Sequence, residues 1–270
     1  MIRRARETLP RHARDLAARA WVAVREPLDL QLAPLGLRAM EALSPKPGET
    51  IVDIGGGAGQ TVLQLAERVG PEGRVVGVDI APMLLDVARG RAAGLTQVAL
   101  VGANAQTLAM PDGCVDGVFS RFGVMAFADP VAAFVNVHRW LKPSGRLAFV
   151  CWRSLAENEL DLLPLRAAGL EAMADPTPFR FEDPDVTRAT LEAAGFKRID
   201  IRPHDEPVSS GDLEAMLAVL MRVGPLGRIL RENPRLRAAA EPRVRAALAV
   251  VGDPSRVALN AATWIVSART

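Results

Sequence analysis

Apolar and polar positions alternate along the middle of the chain in blocks that predict strands and helices in turn. Five short stretches rich in Val, Ile and Phe are almost continuously apolar, which is typical of strands buried on both faces. They are TIVDIG (50–55), RVVGVDI (74–80), QVALVGAN (97–104), CVDGVFSRF (114–122) and GRLAFVCW (145–152). Apolar residues at helical spacing lie between them, at 60–69, 82–93 and 129–141. This order predicts right-handed βαβ units and therefore a parallel sheet with helices on both faces.

Both ends of the chain carry further helical patterns. Residues 1–45 predict an N-terminal helical cap, and residues 46–270 predict the main domain, with a helical insertion at about 205–257. The other predicted elements are helices at 157–173 and 186–194, a strand at 196–204, helices within 211–250 and a final strand at 260–268. We therefore predict one doubly wound α/β domain with N-terminal and C-terminal helical additions.

Composition narrows the class of protein. The chain has 270 residues, of which 49% are hydrophobic, so it can bury a large core. A formal net charge of +2 gives no strong field for nucleic acid or for an anionic membrane surface. No apolar run reaches the ~18 residues of a membrane-spanning helix, and acidic residues in the arginine-rich N-terminus argue against a transit peptide. Cys114 and Cys151 lack zinc-site spacing, so we predict no metal site and a reduced, cytoplasmic protein.

A glycine-rich turn, VDIGGGAGQ, directly follows the first predicted strand. Such a turn lets a ligand approach the backbone, and unpaired N–H groups at the start of the next helix favour a polar or anionic group. Gln60 stands where the dinucleotide fingerprint G-x-G-x-x-G has its third glycine, which argues against an NAD(P)-binding Rossmann domain. The pattern is instead D-x-G-x-G-x-G, formed by Asp53, Gly55, Gly57 and Gly59.

The next two strands also end in polar residues. Asp79 ends the second strand about two dozen residues after the turn, where a carboxylate can accept hydrogen bonds from both hydroxyls of a ribose. Asn104 ends the third strand, where it could accept from an adenine amino group. Three adjacent strand ends therefore suit an amino acid moiety, a ribose and an adenine. S-adenosylmethionine (SAM) contains these three parts.

Four segments, in order, resemble the motifs of class I SAM-dependent methyltransferases of the bacterial ubiquinone/menaquinone-type group. They are VDIGGGAGQ, GVDIAPMLLDVAR, GANAQTLAMPDGCVDGVFSRFGVMAFADP and LKPSGRLAFVCWR. The resemblance covers roughly residues 45–155. It implies a Rossmann-like sheet of seven strands, mostly parallel, with an antiparallel last strand inserted beside the fifth. It also implies SAM as cofactor and S-adenosylhomocysteine (SAH) as product.

Carried over position by position, the resemblance implies a set of cofactor contacts. The glycine turn would hold the methionine part, Asp79 the ribose, and the residues after the second and third strands the adenine. Asn104 stands where the family usually has aspartate, but its amide oxygen can still accept from adenine. Ala81 replaces a common helix-capping serine, which costs roughly 1 kcal/mol of local stability. The implied cofactor-binding residues are Asp53, Gly55, Gly57, Gly59, Asp79, Ile80, Leu84, Asn104, Ala105 and Ser120.

The sequence identifies no catalytic residue. Methyl transfer by in-line displacement mainly requires alignment and the exclusion of water, and a general base is needed only when the acceptor must lose a proton. His138 is expected on a solvated helix face, His204 just after the sixth strand at the rim of the site, and His12 near it only if the N-terminal helix folds over. O-, N- and C-methylation therefore all remain open.

Segments that leave the fourth and fifth strands are candidates for acceptor contact. The aromatic and sulfur side chains there could instead pack beneath the N-terminal helices, Arg121 could pair with a carboxylate of the protein, and Trp152 could be structural. The substrate-facing candidates are Arg121, Phe122, Met125, Phe127, Trp152 and Arg153, with Glu157 and Asn158 beside them.

The helical additions bear on the size of the substrate. A stripe in the helical region 211–233 either packs in the core or covers an apolar ligand, and Trp21 with residues 28–40 could close the opposite side. The resulting prediction is methyl transfer to a small, largely apolar molecule, with no nucleic-acid partner and no stable membrane insertion. The chain could form a homodimer. The alternatives are a non-catalytic SAM-binding regulatory or assembly protein and an NAD(P)-dependent oxidoreductase. The stripe comprises Leu213, Met216, Leu217, Leu220 and Met221.

Overall fold

A computed structural model of the protein describes residues 11–270, and in this range ten α-helices surround seven strands. The strands are β1 (Thr50–Ile54), β2 (Arg74–Asp79), β3 (Val98–Gly102), β4 (Val115–Arg121), β5 (Leu141–Trp152), β6 (Lys197–Val208) and β7 (Leu259–Arg269). The helices are α1 (Arg11–Ala23), α2 (Arg25–Leu43), α3 (Gln60–Val69), α4 (Pro82–Arg91), α5 (Pro130–Trp140), α6 (Glu159–Ala168), α7 (Pro184–Ala193), α8 (Leu213–Leu220), α9 (Gly224–Glu232) and α10 (Arg237–Ala249). Short 3-10 helices span Gly123–Ala126, Leu155–Glu157, Glu171–Met173, Thr177–Phe179 and Pro234–Leu236.

The seven strands form one sheet in the order β3-β2-β1-β4-β5-β7-β6. Neighbouring strands from β1 to β5 pair in parallel, whereas β7 lies antiparallel between β5 and β6. The predicted fold class is confirmed, including the position of the last strand beside the fifth. The strand order reverses between β1 and β4, and ligands of such sheets bind at the carboxyl ends of the strands near this point.

Helix ends follow the capping chemistry of the sequence. Asp129 accepts the Ala132 N–H at 3.0 Å and Pro130 occupies the first position of α5, as predicted. Ala81 caps α4 with no side-chain hydrogen bond. Its own N–H is instead bonded to the Asp79 carboxylate at 2.8 Å, so the neighbouring strand end supplies a partner at the start of this helix.

Two boundaries differ from the sequence-based expectation. Helix α6 is shorter than 157–173, because Gly169 adopts a left-handed conformation (φ 71°) and ends it. Strand β6 continues to Val208, because it stays paired with β7 up to Leu259. His204, expected at the end of this strand, therefore lies four residues before the end.

The helical additions pack against the sheet. Helix α2 buries Leu35, Ala39, Met40 and Leu43 in an apolar cluster that also includes side chains of α3, α6 and α8–α10. Helices α5 and α7 contribute to a second cluster with other sheet residues. The first ten residues of the predicted cap lie outside the described residues, and the boundary between cap and main domain stays a prediction. Among the helices of residues 11–270, none combines the length and apolarity needed to cross a bilayer.

Candidate active site

A cavity of about 490 Å³ lies at the carboxyl ends of the central strands. Its floor includes the ends of β1, β2, β4 and β5 and the segment after β3. Side chains of α1, α2, α6 and the α8–α9 region form the remaining walls. The volume is in the usual range of small-ligand sites, roughly 300–1,000 Å³. One continuous space therefore joins the glycine turn to the helical additions.

The glycines of the turn between β1 and α3 have different reasons to be glycine. Gly55, Gly57 and Gly59 all have positive φ values, of 76°, 53° and 93°. A Cβ atom on Gly55 would lie 2.9 Å from the Gly123 Cα, and one on Gly59 would lie 3.0 Å from Ala88 of α4. A Cβ atom on Gly57 would meet only a carbonyl oxygen at 3.8 Å. Gly55 and Gly57 line the cavity, whereas Gly59 packs against α4 and does not.

Asp79 lines the cavity and organises the backbone around it. One carboxylate oxygen accepts the Gly57 N–H at 3.0 Å, and the other accepts the Ala81 N–H at 2.8 Å. Burial raises the pKa of this carboxyl above its ordinary value, and the backbone hydrogen bonds oppose that rise. Each oxygen keeps further capacity to accept, which suits a pair of vicinal hydroxyls. Ile80 and Leu84 also line the cavity, next to Asp79.

Asn104 and Ala105 line the cavity, but the Asn104 side chain is used differently from the expectation. Its amide oxygen accepts the Gln106 backbone N–H at 3.0 Å and the Gln106 side-chain amide at 3.2 Å. This turn occupies both lone pairs, so the Asn104 Nδ2 group, a donor, is what remains for a ligand. Gln106, which the sequence analysis did not single out, also accepts the Ala128 N–H at 2.7 Å and so connects this turn to the loop before α5.

Asp53 and Ser120, which were expected to contact the cofactor, are buried and do not line the cavity. The Thr61 hydroxyl donates to one Asp53 oxygen, and the other oxygen is buried without a hydrogen-bond partner. Burial raises the pKa of Asp53 to about 7, against the opposing effects of Thr61 and Arg121. The Ser120 hydroxyl donates to the Ile54 carbonyl and accepts two N–H groups of the following turn, so its hydrogen-bonding capacity is used within the protein.

Polar contacts hold α2 against the glycine turn. Gln60 donates to the Asp29 carbonyl at 3.0 Å and accepts a hydrogen bond from Arg121. Arg91 of α4 bonds the Asp29 carboxylate at 2.7 Å and the Ala58 carbonyl at 3.1 Å. Arg121 lines the cavity, but its side chain is bonded to an amide of the protein rather than to the carboxylate that the sequence analysis considered. Burial lowers its pKa, and Asp29 and Asp53 oppose this.

Phe122 and Trp152 form an aromatic wall of the cavity. Their rings stack with centroids 4.0 Å apart at 20°, and Met125 lines the cavity beside them. Phe122 holds a left-handed backbone conformation (φ 63°), which is unusual for a bulky residue and marks a constrained turn. These three side chains were predicted to face the acceptor, and all three line the cavity.

The other two substrate-facing candidates lie elsewhere. Phe127 packs edge-on against Phe134, with centroids 5.6 Å apart, in the core of the protein. Arg153 pairs with Asp205 at 2.9 Å and with Glu157, at a position outside the cavity. Strand β5 alternates its side chains, so that Trp152 faces the cavity and the next residue does not.

The helical additions complete the apolar part of the cavity. Trp21, Leu28 and Leu32 line it from the N-terminal side, and Leu160 and Leu220 line it from the C-terminal side. Within the predicted stripe of α8, only Leu220 lines the cavity. The other four residues, Leu213, Met216, Leu217 and Met221, pack in or against the apolar core. Core packing therefore accounts for most of the stripe, and a ligand-covering role stays a prediction for Leu220.

None of the three histidines lines the cavity within residues 11–270. His12 is exposed on α1. His138, which was expected on a solvated helix face, is partly buried and packs edge-on against Phe196. His204 bonds Glu206 at 2.8 Å within β6. A buried carboxylate, Asp161 of α6, does line the cavity and was not among the predicted residues.

Comparison with known proteins agrees with this geometry. Residues 52–149 match the model of a family described as a methyltransferase domain. The chain is 30% identical to nocamycin O-methyltransferase of Saccharothrix syringae, over 68% of this chain and 72% of that protein. It is 31% identical to the ubiquinone/menaquinone biosynthesis C-methyltransferase UbiE of Teredinibacter turnerae, over 58% and 70%. This chain belongs to the class I SAM-dependent methyltransferase family.

The fold of this methyltransferase is shared beyond the range of close sequence similarity. Phosphoethanolamine N-methyltransferase 2 of Haemonchus contortus, solved with SAH, superimposes with a TM-score of 0.61 at 16% identity, over 96% of this chain and 60% of that one. Three further relatives are matched over only 38%, 46% and 54% of their own lengths. Those matches therefore concern the shared domain rather than the whole of each protein.

The residues that line the cavity fit SAM, the cofactor of this family. Gly57 leaves open space where a side chain would stand, Asp79 offers two partly used acceptors, and Asn104 offers a donor. Gln60, Gln106 and Asp161 are the residues that sequence analysis missed. Gln60 carried a signal, because it breaks the dinucleotide fingerprint, whereas the position of Asp161 depends on distant helices.

Proposed function

We propose that this methyltransferase-family chain transfers the methyl group of SAM to a small, largely apolar acceptor by in-line displacement. The observation that carries the proposal is the continuous cavity that runs from the glycine turn to the apolar side chains of the helical additions. Helices α1 and α2 lie over this cavity, which favours a small molecule over a protein or a nucleic acid. The proposal also includes a cytoplasmic location, where Cys114 and Cys151, both free in the structure, stay reduced.

The residues of the chain act mainly by positioning. We propose that the turn around Gly57, Asp79 and Asn104 holds SAM, with Ile80 and Leu84 flanking the adenine. When bound there, SAM supplies a methyl group attached to a sulfonium. The stacked pair of Phe122 and Trp152 orients the acceptor, and the apolar walls exclude water from the reacting atoms.

The first test is calorimetric titration of the full chain with SAH. We expect a Kd in the micromolar range for the wild type and a loss of roughly 30-fold or more in Asp79→Ala, because two backbone N–H groups and the ribose lose their acceptor. Asp86→Ala, which removes an exposed carboxylate of α4, is the control and keeps wild-type affinity. Binding of NAD(P) in place of SAH would contradict the proposal.

The second test concerns the acceptor end of the cavity. Naphthalene is a suitable probe, because it is small, apolar and rigid, and its fluorescence reports binding. We expect it to bind the complex of the chain with SAH. A chain that binds SAH but neither naphthalene nor any other apolar probe would support the non-catalytic SAM-binding alternative instead.

A further inference from the structure

We propose that Asp161 is the catalytic base of the acceptor end, where its carboxylate binds a hydroxyl group of the acceptor and takes its proton. The inference rests on the proposed function and deepens it, because it assigns the acceptor to hydroxylated apolar molecules such as phenols. The product would then be an O-methyl ether.

The position of Asp161 suits this role. It lies in the first turn of α6, is only 6% exposed, and lines the cavity together with Leu160, Leu220 and Val223. Helix α9 begins directly against it, since a Cβ atom on Gly224 would lie 2.8 Å from the Asp161 Oδ1 atom. Gly224 also has a positive φ of 72°. The start of α9 thus holds the carboxylate in place from one side without giving it a hydrogen bond.

The hydrogen bonding around Asp161 is incomplete in a way that points to a donor on the ligand. The Asn158 side-chain amide donates to the Asp161 Oδ2 atom at 3.3 Å. Within residues 11–270 the Asp161 Oδ1 atom accepts no hydrogen bond and is not fully buried, whereas the Asn158 side-chain oxygen is fully buried without a partner in a residue that does not line the cavity. The Asp161 Oδ1 atom belongs to a side chain that lines the cavity, so it is the acceptor that the hydroxyl group of a ligand can reach.

Burial raises the pKa of Asp161 from its ordinary value of 3.8 to about 7. Arg228 and Arg231 of α9 and Asp175 line the cavity with it, and the other charged residues that line the cavity are Arg14, Arg25, Asp29, Asp79 and Arg121. Arg228 pairs with Asp175 and Glu232, and Arg231 donates to a backbone carbonyl, so their hydrogen bonds are directed elsewhere.

The other elements that pack on α6 contribute mainly apolar side chains, and Arg243 of α10 lies near Gly169, at the opposite end of α6 from Asp161. Val244 and Leu248 of α10 and Ala261 of β7 belong to the same apolar cluster as Leu165 of α6. Glu157, just before α6, is paired with Arg153. A base in such surroundings is ionised near neutral pH yet basic enough to accept a proton there.

The chemical balance of the step is simple. The acceptor oxygen forms a bond to the methyl carbon as its O–H bond breaks, and the proton passes to the Asp161 carboxylate. The bond between that carbon and sulfur breaks, and its electron pair stays on sulfur, which becomes a neutral thioether. Asp161 then releases the proton to solvent when the product leaves. An oxygen acceptor is favoured over an amine, because a phenol gains nucleophilicity by losing its proton whereas a neutral amine already carries a free lone pair.

The deciding experiment measures binding and needs no turnover. The full chain, saturated with SAH, is titrated with 2-naphthol, naphthalene and 2-naphthylamine between pH 5.5 and pH 8.5. At pH 8 we expect 2-naphthol to bind roughly 10-fold more tightly than naphthalene, through a hydrogen bond to the charged carboxylate. This preference should fade as the pH falls below the pKa of Asp161, which lies at about 7.

Two variants separate the base from a structural role. Asp161→Asn should reduce the preference for 2-naphthol to less than about 3-fold and remove its pH dependence, because the amide does not titrate. Glu159→Gln is the matched control: Glu159 lies in the same helical turn, is exposed, and bonds the Asn260 N–H outside the cavity. Its preference for 2-naphthol should equal that of the wild type.

The outcomes are distinguishable. Naphthalene binding without a preference for 2-naphthol, or a preference that survives in Asp161→Asn, would overturn the role of Asp161 and leave the proposed function standing. An equal gain for 2-naphthylamine would overturn the hydroxyl assignment. Failure of all three probes on a chain that binds SAH would contradict the apolar acceptor itself, and failure of SAH to bind would contradict the cofactor assignment.

Turnover supplies a second readout. With SAM and 2-naphthol, the wild type should form 2-methoxynaphthalene at a rate that rises with pH and levels off above about pH 7, as expected for a base with this pKa. Asp161→Asn should lower kcat roughly 100-fold or more, with a smaller change in KM and a flat pH profile. A bound 2-naphthol that the wild type does not methylate would overturn the assignment.

Discussion

The two ends of the cavity are built in different ways. At the cofactor end, neighbouring strand ends come together and the polar contacts are largely those of the backbone, such as the N–H groups of Gly57 and Ala81 that Asp79 accepts. At the acceptor end, side chains from α2, α6, α8 and α9 meet although their segments lie far apart in the chain. The cofactor end forms wherever the sheet forms, whereas the acceptor end forms only after the helical additions have packed on the sheet.

Asp53 and Asp161 also differ in whether they line the cavity. Burial raises the pKa of both Asp53 and Asp161 to about 7. Asp53 is bonded by Thr61 beneath the glycine turn and does not line the cavity, whereas Asp161 lines it with one oxygen unpaired. The two carboxylates are similarly buried but differ in what they can do. A titrating carboxylate is available for chemistry only where the fold places it at the surface of the cavity.

The largest expected effect is at the cofactor end. Gly57→Val places a side chain in open space at the cavity surface and in a left-handed conformation, and we expect SAH affinity to fall roughly 1,000-fold or more, about 4 kcal/mol. Calorimetry measures this change. Gly48→Val is the control, because Gly48 also has a positive φ, of 82°, with nothing within 4 Å, but lies outside the cavity. Equal losses in both variants would show that backbone strain alone is responsible.

The next prediction concerns Asp161 and the pH dependence of the free energy of unfolding. Since the folded state holds the Asp161 proton more tightly than the unfolded chain, its contribution to the free energy of unfolding is highest at low pH and falls as pH rises from 3.8 to about 7. The loss amounts to about 4 kcal/mol, and Asp161→Asn should be free of it. Urea denaturation at several pH values measures the difference between variant and wild type.

Asp53→Asn sharpens that comparison. The contribution of Asp53 to the free energy of unfolding should fall with rising pH over the same range and to a similar extent, because burial raises its pKa to a similar value, and Asp53→Asn should be free of that fall. The preference for 2-naphthol over naphthalene should nevertheless be unchanged in Asp53→Asn, since this carboxylate does not line the cavity. A lost preference in both variants would remove the distinction between the two aspartates.

A smaller effect concerns the contacts that fasten α2 over the glycine turn. Arg91→Ala breaks a partly buried pair with Asp29 and a bond to the Ala58 carbonyl, and we expect SAH to bind roughly 10-fold more weakly. Arg89→Ala, which breaks an exposed pair on the same helix, should leave the affinity unchanged within about 2-fold. Calorimetry under the same conditions tests both variants.

The smallest effect lies at the aromatic wall. Trp152→Leu removes the stack on Phe122, which is worth about 1 kcal/mol, and should weaken naphthalene binding roughly 5-fold with less change for SAH. Trp264→Leu is the control, because Trp264 bonds the Glu182 carbonyl away from the cavity. A greater loss of SAH than of naphthalene would place Trp152 at the cofactor end instead.

Much of the fold was accessible from the sequence. The buried strands and the amphipathic helices between them follow from short-range hydrophobic patterns, and capping residues such as Asp129 and Pro130 mark the helix ends. The antiparallel last strand was implied by family resemblance rather than by pattern. The end of β6 was misplaced, because only pairing with β7 carries the strand to Val208.

The candidate site divides in the same way. Gly55, Gly57, Asp79, Ile80, Leu84, Asn104 and Ala105 were predicted for the cofactor end and line the cavity. Asp53, Gly59 and Ser120 share the same motifs but lie beneath the surface. A motif specifies residue types near a turn, whereas the direction of each side chain depends on strand register and on the hydrogen bonds available in the folded core.

The sequence by itself determined the order of strands and helices, the glycine turn and the acidic strand end, because these depend on residues close together in the chain. Only the tertiary structure decided which side chains form the acceptor end. Asp161 carries no sequence signal of its own, since an aspartate in the first turn of a helix is ordinary. Its burial and its altered pKa arise in the folded chain, where the start of α9 lies directly against it. Long-range packing removes water from this carboxylate, and the local sequence gives no reason to expect its burial.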